Sequence, residues 1–241
     1  MPIASIIVPI YHDDTKIETT LQALARFFSE EHINGEIIVI NDGGTDGGAA
    51  VVEKYQQQFP FIKLINRTVN RGKGYSVREG LSAATGEYLI YTDADLPYLT
   101  KPITKMLSAM KSGEADFLLA NRDLSTAAGE KKPGFPRQIT HLIYSFLVRL
   151  CIAIPFTDTL AGLKAMRREV AEKILPKLTI DRFSFDVELL LAVRRAGFKI
   201  KEMAVSLKNV GKSNLKIRRD APQMFKDVLK IWLQDKRGLY R

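Results

Sequence analysis

The chain has 241 residues, of which 46% are hydrophobic and 26% charged, with no low-complexity tract, so it can bury a full core and is most simply one domain. Its single cysteine, Cys151, excludes an internal disulfide or a cysteine metal cluster, and with no basic-apolar-small leader at the start a reducing cytoplasm is the expected setting. The net charge of +9 is concentrated in the tail: Lys199 to Arg241 carries 12 Lys and Arg against 4 Asp and Glu, which points to an anionic partner such as nucleic acid, a phosphorylated substrate or an anionic membrane face, with a solvated basic helix as the plain alternative.

Ser5-Ile6-Ile7-Val8-Pro9 is a β-branched run of the kind a buried parallel strand needs, closed by a proline. Tyr11 to Asp14 reads as a loop, and Ile17, Leu21, Leu24 and Phe28 recur at helical spacing, with Asp14 or Thr15 as cap. Ile37 to Ile40 is a second strand, followed by the loop Asn41-Asp42-Gly43-Gly44-Thr45-Asp46-Gly47-Gly48 and a helix over 49–58. Phe61 to Ile65 predicts a third strand, and Asn70-Arg71-Gly72-Lys73-Gly74 opens a helix reaching Ala84. A fourth strand, Tyr88 to Tyr91, ends in Asp93-Ala94-Asp95, and Phe117 to Ala120 reads as a fifth, ending in Asn121-Arg122.

Strands alternating with helices predict an α/β fold, a Rossmann-like doubly wound and mostly parallel sheet with helices on both faces. Ligands of such sheets sit at the carboxyl ends of the strands, where Pro9, Asp42, the 70–74 turn and the two aspartates all fall. In a strand that is just ending, residues i and i+2 share a face, so Asp93 and Asp95 are candidate ligands of one hard cation, Mg2+ or Mn2+, with water and a diphosphate completing its shell. The bland reading of the same triplet is an acidic turn ahead of the helix that Pro97 and Pro102 introduce. Neither phosphate-binding glycine signature, that of P-loop enzymes or that of dinucleotide oxidoreductases, is present.

Taken together, Val8-Pro9-x-Tyr11, Asn41 to Asp46, Asn70 to Gly74 and Asp93-Ala94-Asp95 resemble the family 2 glycosyltransferases of GT-A fold. Asp158 to Lys164, Phe185-Asp186-Val187-Glu188-Leu189 and Gly211-Lys212-Ser213 are similar to the dolichyl-phosphate sugar synthases, closer to the glucosyl than to the mannosyl branch. The chain departs from that pattern at His12-Asp13, where the family commonly has Asn-Glu, at Asn41, which replaces an aspartate, and at Leu160-Ala161, which replaces a Gln-Cys pair.

The resemblance implies a single domain over 1–241, with a nucleotide-sugar half (1–120), an acceptor half (121–208) and a basic loop with a C-terminal amphipathic helix (209–241). It implies that Pro9, Tyr11, Asp13, Asp42, Arg71, Gly72, Lys73, Asp93 and Ala94 contact the nucleotide sugar, that Asp93 and Asp95 hold the metal, and that Asp95, Asp158 and Arg122 are catalytic. The implied reaction is inverting transfer of a hexose, with UDP-glucose as donor and GDP-mannose as the alternative, to a polyprenyl or dolichyl phosphate at the cytoplasmic face of a membrane. Such an acceptor is already anionic, so cations matter more than a general base. Arg122, Arg137, His141, Ser145 and Lys212 are the expected acceptor-phosphate contacts.

Arg137, His141, Ser145 and Arg149 recur every four residues, opposite an apolar face of Ile139, Leu142, Ile143, Phe146, Leu147 and Leu150 that suits either a core or a membrane surface. No stretch is long enough to span a bilayer; 142–156 carries Arg149 and reads as a buried or interfacial helix. Asp186 and Glu188 open a helix running to Ala196, where Asp186 also reads as a carboxylate favoured by the helix dipole. Met224, Phe225, Val228, Leu229, Trp232 and Leu233 form an apolar stripe suited to docking on the domain or on an anionic bilayer. Two rivals remain at this level: a related enzyme acting on saccharide or other hydroxyl acceptors, which needs a general base, and a basic nucleic-acid-binding module, which leaves the strand-end motifs unexplained, so no nucleic-acid partner is expected.

Overall fold

In the computed structural model, the described residues are 2–96, 100–122, 124, 148, 151–152, 154–156, 158–205 and 217–241. Seven strands form one sheet: β1 (Ala4–Ile10), β2 (Gly35–Asp42), β3 (Ile62–Arg67), β4 (Tyr88–Tyr91), β5 (Phe117–Asn121), β6 (Lys164–Arg167) and β7 (Ile200–Ala204). Their order is β3-β2-β1-β4-β6-β5-β7. The pairings β1–β2, β1–β4, β2–β3 and β5–β7 are parallel, whereas β6 runs antiparallel to both neighbours, β4 and β5.

Both faces of the sheet are covered, which is why its central strands are apolar without alternation. Ile6 and Val8 of β1 point into one core with α1 (Asp14–Glu30), α2 (Gly48–Gln58) and α4 (Lys101–Lys111). Ile7 points into the other, which also holds buried side chains of α3 (Lys73–Ala83), α5 (Arg168–Ile174), α6 (Phe185–Arg195) and α7 (Ile217–Lys236). Each fully buried Ile or Leu contributes roughly 1.5–3 kcal/mol, so a register slip of one residue in β1 would forfeit several of these at once.

Strands β1 to β5 fall where the apolar runs predict them: β4 matches at both ends, β1, β2 and β5 run one or two residues further at one or both ends, and β3 starts at Ile62 and runs on to Arg67. The residue preceding α1 is Asp13, not Asp14 or Thr15, and no side chain of its own caps the helix. The amide of Asp14 instead donates to Asp46 Oδ2 (2.9 Å), so a loop aspartate from the end of β2 satisfies that helix terminus. The antiparallel β6 has no counterpart in the sequence reading. Its first residue, Lys164, pairs with Tyr91 of β4 and Leu119 of β5, so the segment before it lies at the carboxyl rim of the sheet.

Candidate active site

Strand β4 stops at Tyr91, and residues 93–96 form a turn closed by the Leu96 amide donating to the Asp93 carbonyl (3.1 Å). The two aspartates are therefore presented by a turn and not by strand alternation, since the strand has ended at Tyr91, and Leu96, at φ +39°, closes the turn. The turn is tied to α1 through Thr20 Oγ1, which donates to the Ala94 carbonyl (2.6 Å). Burial, then the charge of Asp93, pushes the Asp95 carboxyl above its ordinary value against the opposing pull of Lys16.

Two lysines answer this negative charge. Lys73, at the start of α3, places its Nζ 2.7 Å from Asp93 Oδ1. Lys16, in the first turn of α1, binds Asp13 Oδ1 at 2.7 Å. Partial burial works against the Lys16 ammonium, but Asp13, Asp95 and Asp93 together hold its pKa above the usual lysine value. An all-oxygen pair of this kind, strained by its own repulsion, fits a hard divalent ion that keeps water and phosphate oxygens in its other positions. Among the described residues no cluster of three or more His, Cys, Asp or Glu side chains is placed to hold a metal by itself.

The segment Asp158–Leu163 is the wall behind these carboxylates. A Cβ on Gly162 would overlap the Asp93 carboxylate, so glycine is what lets the wall approach. Each end of the wall is fixed by an ion pair. Asp158, 3% exposed, accepts from the Arg122 amide (3.0 Å), Nε (2.7 Å) and a terminal guanidinium nitrogen (2.6 Å). Lys164, fully buried, donates to Asp186 (2.6 Å) and to the Ala161 carbonyl (2.7 Å). Tyr91 OH also donates to Asp186 (2.5 Å). Burial pulls the Lys164 ammonium below its ordinary pKa with Asp186 opposing, while Asp186 is held low by Lys164 and Lys73 in spite of its own burial. Asp186 is therefore more than a first-turn carboxylate: it is the buried counter-ion of Lys164.

The end of β2 forms the other side of the rim. Asp42, 3% exposed, accepts from Arg67 (2.7 Å), the Arg71 amide (2.8 Å) and the Gly72 amide (2.7 Å). Gly72 has φ +103°, and a Cβ there would meet the Asp181 carbonyl at 2.5 Å, so the turn admits no larger residue. The Arg71 guanidinium lies over the Tyr75 ring at 3.5 Å. Asn41, where an aspartate was the expected pattern, uses both halves of its amide, donating to Asn66 Oδ1 (2.9 Å) and the Gly44 carbonyl (3.0 Å) and accepting from the Gly44 amide (3.0 Å). An aspartate would lose both donated bonds. At the end of β1, Pro9 leads to Tyr11, 42% exposed, whose ring stands edge-on to His12 (4.3 Å), and His12 itself is at φ +56°.

Of the residues singled out in the sequence, Asp93, Ala94, Asp95, Lys73, Asp158, Arg122, Asp13, Asp42, Arg71 and Gly72 all lie on this rim. Arg137, His141, Ser145 and Lys212 lie outside the described residues, as do Ile139, Leu142, Ile143, Phe146, Leu147 and Leu150. Lys16, Arg67 and Tyr91 are not read from the sequence as belonging to this site, and Lys164, read only as the end of the Asp158 to Lys164 motif, is given no partner there. The one local signal was Lys16, three residues after Asp13 on a helix; the others are paired across 22 to 95 residues of sequence.

The family description "Glycosyl transferase family 2" matches residues 5–175, a span that includes every strand of the rim except β7. The chain is a family 2 glycosyltransferase. Among relatives of this glycosyltransferase, the dolichyl-phosphate beta-glucosyltransferase of Dictyostelium discoideum is 30% identical over 98% of the chain and 76% of that protein. Among solved structures, glucosyl-3-phosphoglycerate synthase of M. tuberculosis superposes with a TM-score of 0.72 at 16% identity, covering 97% of this chain and 80% of that one. The same synthase crystallised with Mn2+, uridine diphosphate and phosphoglyceric acid gives a TM-score of 0.69 at 15% identity, with 96% and 78% covered. This likeness establishes the GT-A type of α/β fold for the glycosyltransferase. No helix among its described residues is long and apolar enough to cross a membrane.

Proposed function

We propose that the chain is an inverting, metal-dependent glucosyltransferase that moves glucose from UDP-glucose to a polyprenyl phosphate, working as a peripheral protein at the cytoplasmic face of a membrane. Support for the acceptor comes from the relatives' named activity and from the bonding of Asp158. A hydroxyl acceptor requires a base that can take up a proton. Asp158 accepts three hydrogen bonds from Arg122, so its oxygens are committed to holding the guanidinium in place.

In this reading an acceptor phosphate oxygen attacks the anomeric carbon of the sugar. The new carbon–oxygen bond forms as the bond to the nucleoside diphosphate breaks, and the electron pair leaves on the diphosphate. A divalent ion held by Asp95 and Asp93 would supply charge stabilisation to that leaving group. Lys73 contributes a second positive charge on the diphosphate side, and Arg122, oriented by Asp158, contributes one on the acceptor side. Pro9, Tyr11, Asp13, Asp42 and Arg71 line the region assigned to the nucleobase, where Asp42 also builds the turn that receives it.

Incubating the protein with a panel of nucleotide sugars, Mg2+ or Mn2+, and a short polyprenyl phosphate tests donor and acceptor together. UDP release coupled to glucosyl lipid phosphate is expected. Transfer confined to neutral hydroxyl acceptors would overturn the acceptor, and turnover in excess chelator would overturn the metal.

A further inference from the structure

Helix α7 divides into three sectors when its residues are placed at 3.6 per turn. Met224, Val228 and Ile231 are buried against the domain, and Arg195 grips Asp235 in the same sector through two bonds (2.7 and 2.5 Å). Just past the helix, Tyr240 OH donates to the buried Glu188 (2.7 Å), so that end of the element is anchored. The next sector carries Phe225, Leu229, Trp232 and Leu233, which are 37%, 54%, 37% and 46% exposed. Beside it stands a basic sector of Lys226 and Lys230, continued by Arg237, all exposed.

Four large apolar side chains side by side on one exposed face are more than scattered surface exposure, and they mark a surface built to be covered. Charge decides what covers it. Of the helix's three acidic residues, Asp227 and Asp235 are buried on the domain side and Asp220 lies in the first turn, so although Asp227 acts on Lys230, the exposed flank itself carries only basic charge. A tryptophan at the edge of an apolar stripe flanked by lysines is the arrangement of a helix lying in the plane of a bilayer interface. A symmetric second copy would instead pack this patch against itself and set basic flank beside basic flank.

We propose that the outer face of α7 docks on an anionic lipid bilayer, with Phe225, Leu229, Trp232 and Leu233 at the acyl boundary and Lys226, Lys230 and Arg237 on headgroup phosphates. This surface gives the lipid-phosphate reading its approach to the membrane and rests on that reading for its purpose. The placement is apt: Ser184, just ahead of α6 and two residues before Asp186, donates to the Met224 carbonyl (3.4 Å), so the early part of α7 stands beside the active rim.

The test is vesicle co-sedimentation without substrate, on phosphatidylcholine alone and with roughly one-third phosphatidylglycerol. Wild type should partition onto the anionic vesicles. Leu229→Gln/Trp232→Gln should lose at least ~tenfold in partition. Lys226→Gln/Lys230→Gln should lose about fivefold per neutralised residue on anionic vesicles only. All variants should stay folded and melt within a few degrees of the wild type, since Trp232 is partly exposed and Lys230 gives up only a 3.4 Å bond to the Thr179 carbonyl, and should keep turnover on a short water-soluble acceptor. Wild type that ignores anionic vesicles, or variants that bind as wild type does, overturn the proposal. So does a wild-type dimer that Leu229→Gln/Trp232→Gln dissociates, since that assigns the face to a second copy. Vesicle binding without any transfer to a lipid phosphate would sink the acceptor reading and leave the docking surface standing.

Discussion

The ammonium of Lys73 stands 2.7 Å from Asp93 Oδ1, joining the first turn of α3 to the turn after β4. A lysine here competes with any divalent ion for Asp93, yet stands ready to meet the diphosphate that arrives with it. Lys73→Met should therefore tighten Mn2+ binding in the absence of nucleotide by about threefold or more. The same variant should weaken UDP binding in saturating Mn2+ by roughly tenfold, the loss of one charge-assisted contact. Calorimetry reads both, and affinities that fall together would show that Lys73 merely braces the turn.

The contact between Gly162 and Asp93 makes a second prediction. Gly162→Ala introduces a Cβ where the carboxylate now lies, without requiring an unusual backbone angle. Mn2+ affinity should fall at least ~tenfold while the melting temperature moves by only a few degrees, since the displaced group is a half-exposed side chain. Titration of Mn2+ by electron paramagnetic resonance separates the two; unchanged Mn2+ affinity would remove Gly162 from the site.

The buried pair Lys164–Asp186 is expected to fail asymmetrically. Lys164→Met leaves the Asp186 carboxylate without its counter-ion and should cost about 3–5 kcal/mol in urea unfolding. Lys164→Met/Asp186→Leu removes both charges and should recover part of that loss, although Tyr91 OH then loses its acceptor. Equal destabilisation by the single and double variants would contradict the ion-pair account.

At the opposite end of the sheet, Glu36 accepts from Ser5 Oγ (2.6 Å), Lys63 Nζ (2.6 Å), the Thr85 amide (2.6 Å) and Thr85 Oγ1 (2.8 Å). Burial alone would raise its pKa, but Lys63, Ser5 and Thr85 bring it down to about 2 from 4.5. A depressed carboxylate stabilises the fold fully above its unfolded value and loses that contribution as protons bind the native state. The wild-type advantage over Glu36→Gln, roughly 2 kcal/mol near neutrality, should thus be constant above about pH 4.5 and shrink between there and pH 2. Denaturation curves across that range that run parallel would refute it.

Much of this molecule is written locally. The apolar runs of β1 to β4 locate their strands because both faces of the sheet are buried, and the polar residues at their ends therefore meet at one rim. What was not legible depends on partners far along the chain. Lys164-Ala-Met-Arg167 does not read as a strand, since a lysine opens it; only Asp186 and Tyr91 make burial of that lysine tolerable. Asp42 reads as a ligand contact, yet three of its hydrogen bonds go to Arg67, Arg71 and Gly72, and nothing within its own loop announces them. The aspartate pair was recognisable by spacing, but it sits in a turn closed by a positive φ at Leu96, a residue with no turn preference.

The antiparallel β6 also sets the order in which the protein assembles. Strands β1 to β4 pair among themselves and are complete once Tyr91 has been made, whereas β5 pairs with β6 and β7 and with no earlier strand among those described. During synthesis at ~5–20 residues per second, β5 emerges and then waits roughly 2–9 s for Lys164 to follow. Throughout that interval Phe117 to Ala120, all destined for the core, remain an unpaired apolar edge. Nascent-chain capture by a chaperone should peak over this window and end when β6 slots between β4 and β5.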